Sequence, residues 1–148
     1  METPFRRLHH ICIVVRDIER AVRFYESVGI GPWQDYPPLS QYTFDPPDHD
    51  GLLNLKYKFV GLGDMQLQMV EPGEGDSPQR RFLEERGEGV FHLGFLVDDV
   101  AAATDSAGQL GLPPWLTGRR EDSSGFTFFE TAESAGVHLE IRQSPRGK

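Results

Sequence analysis

The sequence predicts an α+β fold made of two tandem modules, and three observations carry that reading. A strand-then-helix pattern occurs twice at a fixed offset of 82 residues. Each copy is followed by further β-branched and alternating runs. Hydrophobic residues make up 38% of the 148 residues and aromatics 11%, enough for one ordinary core.

The repeat needs no gap from His10–Trp33 to His92–Trp115. His10 matches His92, Val15 matches Val97, Asp17 matches Asp99, Ala21 matches Ala103 and Gly29 matches Gly111. Seven of the 24 pairs are identical, where chance at average usage gives about one or two. In copy one, His10 to Val15 reads as a buried strand. Asp17 is placed to cap a helix whose apolar positions are Ile18, Ala21, Val22, Tyr25 and Val28, and Gly29 stops it. Copy two repeats this with Asp99 as cap and Gly111 as stop, over a thinner helix from Val100 to Leu110.

Further strands are expected over Leu52 to Phe59 and Met65 to Val70, turning at Gly61 to Asp64. In the second half they are expected over Phe126 to Glu130 and Val137 to Arg142. Each half is therefore β-α-β-β or β-α-β-β-β. Ser77 to Arg86 predicts a linking helix capped by Ser77 and ended by Gly87. The Pro-rich stretch Pro37 to Gly51 is either a lid or a surface loop. The chain is thus expected to be one domain, residues 1–148, of two modules at about 8–75 and 88–143.

Net charge is −8 and the sequence pI is about 5.0. Such a surface disfavours nucleic acid and anionic membranes, which need a basic face. The short exceptions, Arg80-Arg81 and Arg119-Arg120, read as solvated surface or as a mouth for an anionic substrate. No apolar run reaches the roughly 20 residues of a membrane span, and no secretory leader is visible. Cys12, the single cysteine, has no internal disulfide partner. A cytoplasmic protein is expected.

The chemistry-bearing residues follow the repeat. His10 and His92 open equivalent strands. Gln68 and Glu140 sit at equivalent places in the last strand of each half, alongside the pairs Gln66/His138 and Leu67/Leu139. A lone histidine on an apolar strand is usually structural. Two at matched positions, each with an oxygen donor on a matched strand, point to one divalent metal held by His10, Gln68, His92 and Glu140. Two imidazoles and two oxygens suit Zn²⁺, Co²⁺, Ni²⁺, Mn²⁺ or Fe²⁺. Alternation puts Gln66 and His138 on the same faces as Gln68 and Glu140, as substrate contacts, supports of the ligands or plain polar filling. Cys12 shares a face with His10 as a small buried hydrophobe. His9 faces away, and His49 lies in the Pro-rich stretch. Trp33 and Trp115 are expected to pack at the sheet edge. Tyr42, Phe44 and Tyr57 are candidate pocket residues.

The stretches Leu8 to Asp17, Gly87 to Phe95 and Gly136 to Ile141 resemble the vicinal oxygen chelate group, the glyoxalase/bleomycin resistance/dioxygenase superfamily, and most closely its methylmalonyl-CoA epimerase-like members. The resemblance runs from about Leu8 to Gln143. It implies paired βαβββ modules whose mixed sheet curls around a metal cavity. It also implies a His, Gln, His, Glu ligand set in the order His10, Gln68, His92, Glu140. Those epimerases carry a catalytic glutamate on the strand after the long loop, and counting from Gly51 places it at Asn54. An amide does not accept a proton as a carboxylate does. Lys56, expected on the same face as Asn54, is the substitute acid/base, or else an outward lysine.

The expected function is a metal-dependent isomerase or epimerase. Glu140 would take a proton from the carbon beside a metal-chelated carbonyl or thioester. The expected substrate is a small molecule, including the acyl-CoA class, and the resemblance implies a homodimer. The competing readings are a glyoxalase I-like lyase, an Fe²⁺-dependent dioxygenase built on His10, His92 and Glu140, and a non-catalytic binding or resistance protein.

Overall fold

The protein is described by a computed structural model covering residues 3–47 and 50–146; His49 falls outside them. The elements run β1 (Leu8–Val14), α1 (Ile18–Ser27), β2 (Gln34–Asp35), β3 (Thr43–Asp45), β4 (Lys56–Leu62), β5 (Met65–Glu71), α2 (Pro78–Arg86), β6 (Gly89–Leu96), α3 (Val100–Gln109), β7 (Leu116–Arg119), β8 (Gly125–Phe129), α4 (Ala132–Ala135) and β9 (His138–Gln143). Short 3₁₀ turns cover Leu39–Gln41 and Leu52–Asn54. The fold is α+β: the strands form one open mixed sheet in the order β2-β4-β5-β1-β6-β9-β8-β7-β3.

The chain divides into two compact units. One comprises His10–Leu39 and His49–Phe91. In it β1 and β5 run parallel, and β4 lies antiparallel on β5 with β2 outside it. Asp17 begins α1 by accepting from the backbone N–H of Arg20 at 3.1 Å. The 3.6-residue period then turns Ile18, Ala21, Val22 and Tyr25 onto Val15, Ile13, Met69 and Trp33. The α2 helix has the expected cap, Ser77 accepting from the Arg80 N–H at 3.0 Å, and ends at Gly87 with φ 82°.

The other unit comprises Met1–His9, Ser40–Asp48 and His92–Lys148. Its sheet is β6-β9-β8-β7-β3, with β6 and β9 parallel and the remaining neighbours antiparallel. Asp99 caps α3 on the Ala102 N–H at 3.1 Å. Val100, Ala103 and Ala107 pack on Phe129 and Ile141, and the thin helix lets Phe5 and Phe95 join that cluster.

Two expectations change. The stretch from Pro37 to Gly51 is not a plain loop or lid: it contains β3, which completes the sheet edge on β7 through Thr43–Arg119, Phe44–Gly118 and Asp45–Thr117. The strand expected over Leu52 to Phe59 begins late, because a 3₁₀ turn occupies Leu52–Asn54 and β4 runs Lys56–Leu62. Asn54 therefore lies outside the sheet, and alternation does not extend to it.

Candidate metal centre

Register fixes which side chains share a face. In the first unit His10 lies opposite Gln66 and Cys12 opposite Gln68. The β4 strand then adds Phe59 beside Gln68 and Tyr57 beside Val70. Residues directly paired across strands point to the same side, so His10, Cys12, Gln66, Gln68, Tyr57 and Phe59 share one face. The second unit repeats the pattern: His92 lies opposite His138, Gly94 opposite Glu140, and Phe128 opposite Glu140 on the other side.

His10, His92 and Glu140 are each buried, at 2%, 1% and 6% exposure. Each offers a ligand atom, and these atoms all lie within 4.8 Å of one another. Nε2 of His92 is 3.8 Å from Oε1 of Glu140. Burial pushes the Glu140 carboxyl above the usual carboxylate range, while the charges of His92, Arg142 and His9 pull it back down. A buried carboxylate is costly by several kcal/mol unless a cation meets it. Two imidazoles and a carboxylate, all buried, are a donor set suited to a divalent transition metal.

Gln68 is equally buried at 4%, and its amide nitrogen donates to Oε1 of Gln66 at 2.6 Å. That bond commits the nitrogen and leaves the amide oxygen as the atom suited to a metal. Gln66 thus orients Gln68. His138 is oriented as well: Nδ1 accepts from the Thr131 N–H at 3.3 Å, so Nε2 carries the proton. Trp115 packs against the same ring at 4.8 Å. Its repeat mate Trp33 instead packs on Tyr25 at 5.3 Å.

Asn54 and Lys56 do not join this group. Asn54 is exposed and its amide donates to the Glu74 carbonyl at 2.8 Å. Lys56 pairs with Glu71 in register, one residue out of phase with Tyr57, so it belongs to the opposite face from Gln68. Its ammonium lies 3.7 Å from the Glu71 carboxylate, which also holds the Ile18 N–H at the start of α1. Lys56 is thus an exposed cation on the face turned away from Gln68. The arginine pair 119–120 is half-buried and held by the fold rather than solvated surface. Arg119 donates to the Phe126 carbonyl and Thr127 Oγ1, and Arg120 to Gln41, Ser124 and the Tyr42 hydroxyl.

Sequence reasoning named Tyr42 and Phe44 as pocket candidates but passed over Phe126 and Phe128, which join them in an aromatic wall beside His92. Phe128 meets the His92 ring edge-on at 4.9 Å, Phe126 lies 5.3 Å from Phe128, and Tyr42 lies 5.0 Å from Phe126. Phe44 completes the wall through β3. Alternation on β8 was the available signal for Phe126 and Phe128. Nothing in the sequence placed β3 beside β7.

The family model of the glyoxalase/bleomycin resistance protein/dioxygenase superfamily matches residues 9–129. The chain belongs to that superfamily. It is similar to the Bacillus subtilis (strain 168) protein YqjC, 28% identical over 144 residues covering 95% of this chain and 94% of that one. It is 31% identical to mouse mitochondrial methylmalonyl-CoA epimerase over 98 residues, 66% of this chain, and spans about half (49%) of that relative's length. Of solved structures, a variant of Streptomyces coelicolor methylmalonyl-CoA epimerase in complex with 2-nitronate-propionyl-CoA superposes with a TM-score of 0.72 at 25% identity, over 96% of each chain. No helix among the described residues is long and apolar enough to cross a membrane.

Proposed function

We propose that this superfamily member is a divalent-metal-dependent isomerase or epimerase that moves a proton on the carbon next to a carbonyl or thioester. The buried convergence of His10, His92 and Glu140 within 4.8 Å carries the reading, and the similarity to epimerases supports it. His10, Gln68, His92 and Glu140 would hold the metal, with the amide oxygen of Gln68 as its ligand atom. A bound divalent ion supplies a Lewis acid that acidifies the carbon beside a chelated carbonyl.

The protein's own groups then divide the work. Glu140 takes the proton on a carboxylate oxygen. The Nε2–H of His138, on the Glu140 face, donates to an oxygen of the substrate. Phe126 and Phe128 keep water from the reacting carbon. Because Asn54 and Lys56 stand apart, no second carboxylate or amine from β4 is available to return the proton from the opposite side. This favours one-face isomerisation over two-base epimerisation. An acyl-CoA is one substrate class that fits. In the second reading, His10, His92 and Glu140 serve as a two-His, one-carboxylate set for Fe²⁺ and O₂.

Metal analysis of the purified protein, followed by solvent deuterium exchange into acyl-CoA, 2-oxo and hemithioacetal compounds, tests the proposal. Metal near one per chain and exchange abolished in Glu140→Gln are expected. Stoichiometric Fe²⁺ with substrate-dependent O₂ uptake and no exchange would favour the second reading. Absence of bound metal after loading would remove both.

A further inference from the structure

Arg142 follows Glu140 by two residues on β9, and the pairing of β9 with β8 sets it opposite Phe126, on the face that carries Glu140, Phe128 and His138. It is half-buried. Among the described residues its one polar contact is Nε2 of His9, at 3.4 Å from Nη1. A guanidinium has five donors in a planar fork, and here one imidazole nitrogen meets them. The other arginines of this sheet are satisfied by the fold, as the carbonyl and hydroxyl partners of Arg119 and Arg120 show. Apart from His9 and the charge it places near the buried Glu140 carboxyl, Arg142 has no such partner among the described residues, in a chain whose net charge is −8.

Same-face neighbours on a strand stand about 6.6 Å apart at a rise of roughly 3.3 Å per residue. A group held by Arg142 is therefore distinct from oxygens chelated beside Glu140, yet within reach of the same small molecule. On β8, Phe126 stands opposite Arg142 and Phe128 opposite Glu140. Planar bidentate pairing makes a carboxylate the fitting partner.

We propose that Arg142 determines specificity by binding a second anionic group of the substrate, a carboxylate beyond the oxygens that chelate the metal. The inference rests on the metal-site reading above. It narrows the substrate to carbonyl or acyl compounds that carry an additional acid group.

The test uses the Co²⁺-loaded protein and two probes in calorimetric titrations. Pyruvate offers a carboxylate and a keto oxygen for chelation; 2-oxoglutarate offers the same pair plus a distal carboxylate. In the wild type, 2-oxoglutarate should bind at least about tenfold more tightly than pyruvate, as expected of a charge-assisted pair. Arg142→Gln should bring the ratio of the two dissociation constants to within twofold, and Arg142→Lys should retain part of the preference. A merely structural arginine would weaken both probes together and leave the ratio unchanged, which overturns the proposal. So does equal affinity for the two probes in wild type, with the metal reading left standing. If the protein takes up no Co²⁺, the metal reading falls first and this inference with it.

Discussion

Gly118 allows a sharp check on how the aromatic wall beside His92 is packed. A Cβ added there would lie 2.5 Å from Cε1 and 2.6 Å from Cζ of Phe126. Carbon atoms in contact prefer about 3.5 Å or more, so the ring must withdraw by about 1 Å. It cannot do so easily, since Tyr42 and Phe128 stand 5.0 and 5.3 Å from it, centroid to centroid. Overpacking of this kind costs about 1–3 kcal/mol. Gly118 has no positive φ, so alanine is otherwise welcome and recovers about 0.5–1 kcal/mol of strand stability. Gly118→Ala is therefore expected to destabilise by about 0.5–2 kcal/mol, roughly 2–4 °C in Tm for each kcal/mol. In a Phe126→Val background the obstructing ring is gone, and the same substitution should stabilise by about 0.5–1 kcal/mol. Urea denaturation of the four proteins closes the cycle. An effect of equal sign and size in both backgrounds would refute the packing argument.

The caps and one acidic turn give further predictions. Asp17→Ala and Asp99→Ala should each cost about 1 kcal/mol, and the double variant should be additive within about 0.5 kcal/mol, because the caps share no partner; urea denaturation measures all three. The Asp122 carboxylate accepts from Ser124 N–H and hydroxyl and from the Arg146 N–H, which lowers its pKa from 3.8 to about 2. A depressed acid pKa contributes stability above the unfolded value, lost as pH falls through the folded one. The turn should therefore hold to about pH 4 and loosen between about 4 and 2. An NMR titration of the Asp122 carboxyl and the Ser124 and Arg146 amides checks this, and a midpoint near the ordinary aspartate value would contradict it.

The sequence revealed those parts of the fold that declare themselves locally. Asp17, Asp99 and Ser77 were readable because a cap is a short-range event: one side chain, one N–H three residues on. His10 and His92 stood out because the repeat aligns them, and Gln68 and Glu140 because they hold equivalent places on the last strand of each half; the structure draws His10, His92 and Glu140 together. The face of Lys56 was not readable. A 3₁₀ turn at Leu52–Asn54 delays β4, and a strand's phase decides which side every residue takes. The β3 strand was hidden because three residues between prolines carry no periodicity, and its partner β7 lies more than seventy residues away. Arg142 was within reach of the alternation that selected His138, but a lone arginine on a strand carries no signal until its missing partners are visible.

The pairing of β3 with β7 has a consequence for how the molecule can be divided. Neither compact unit is a continuous stretch of chain: the backbone passes from one to the other four times. The polypeptide is laced, so removing His92–Lys148 as a fragment would leave its sheet without the Thr43–Asp45 strand and without Phe5, which packs edge-on against Phe95 and Phe129. A gene cut between Phe91 and His92 would leave every segment of the first unit on one piece, while the other piece would lack both laces and would need the first to regain its sheet.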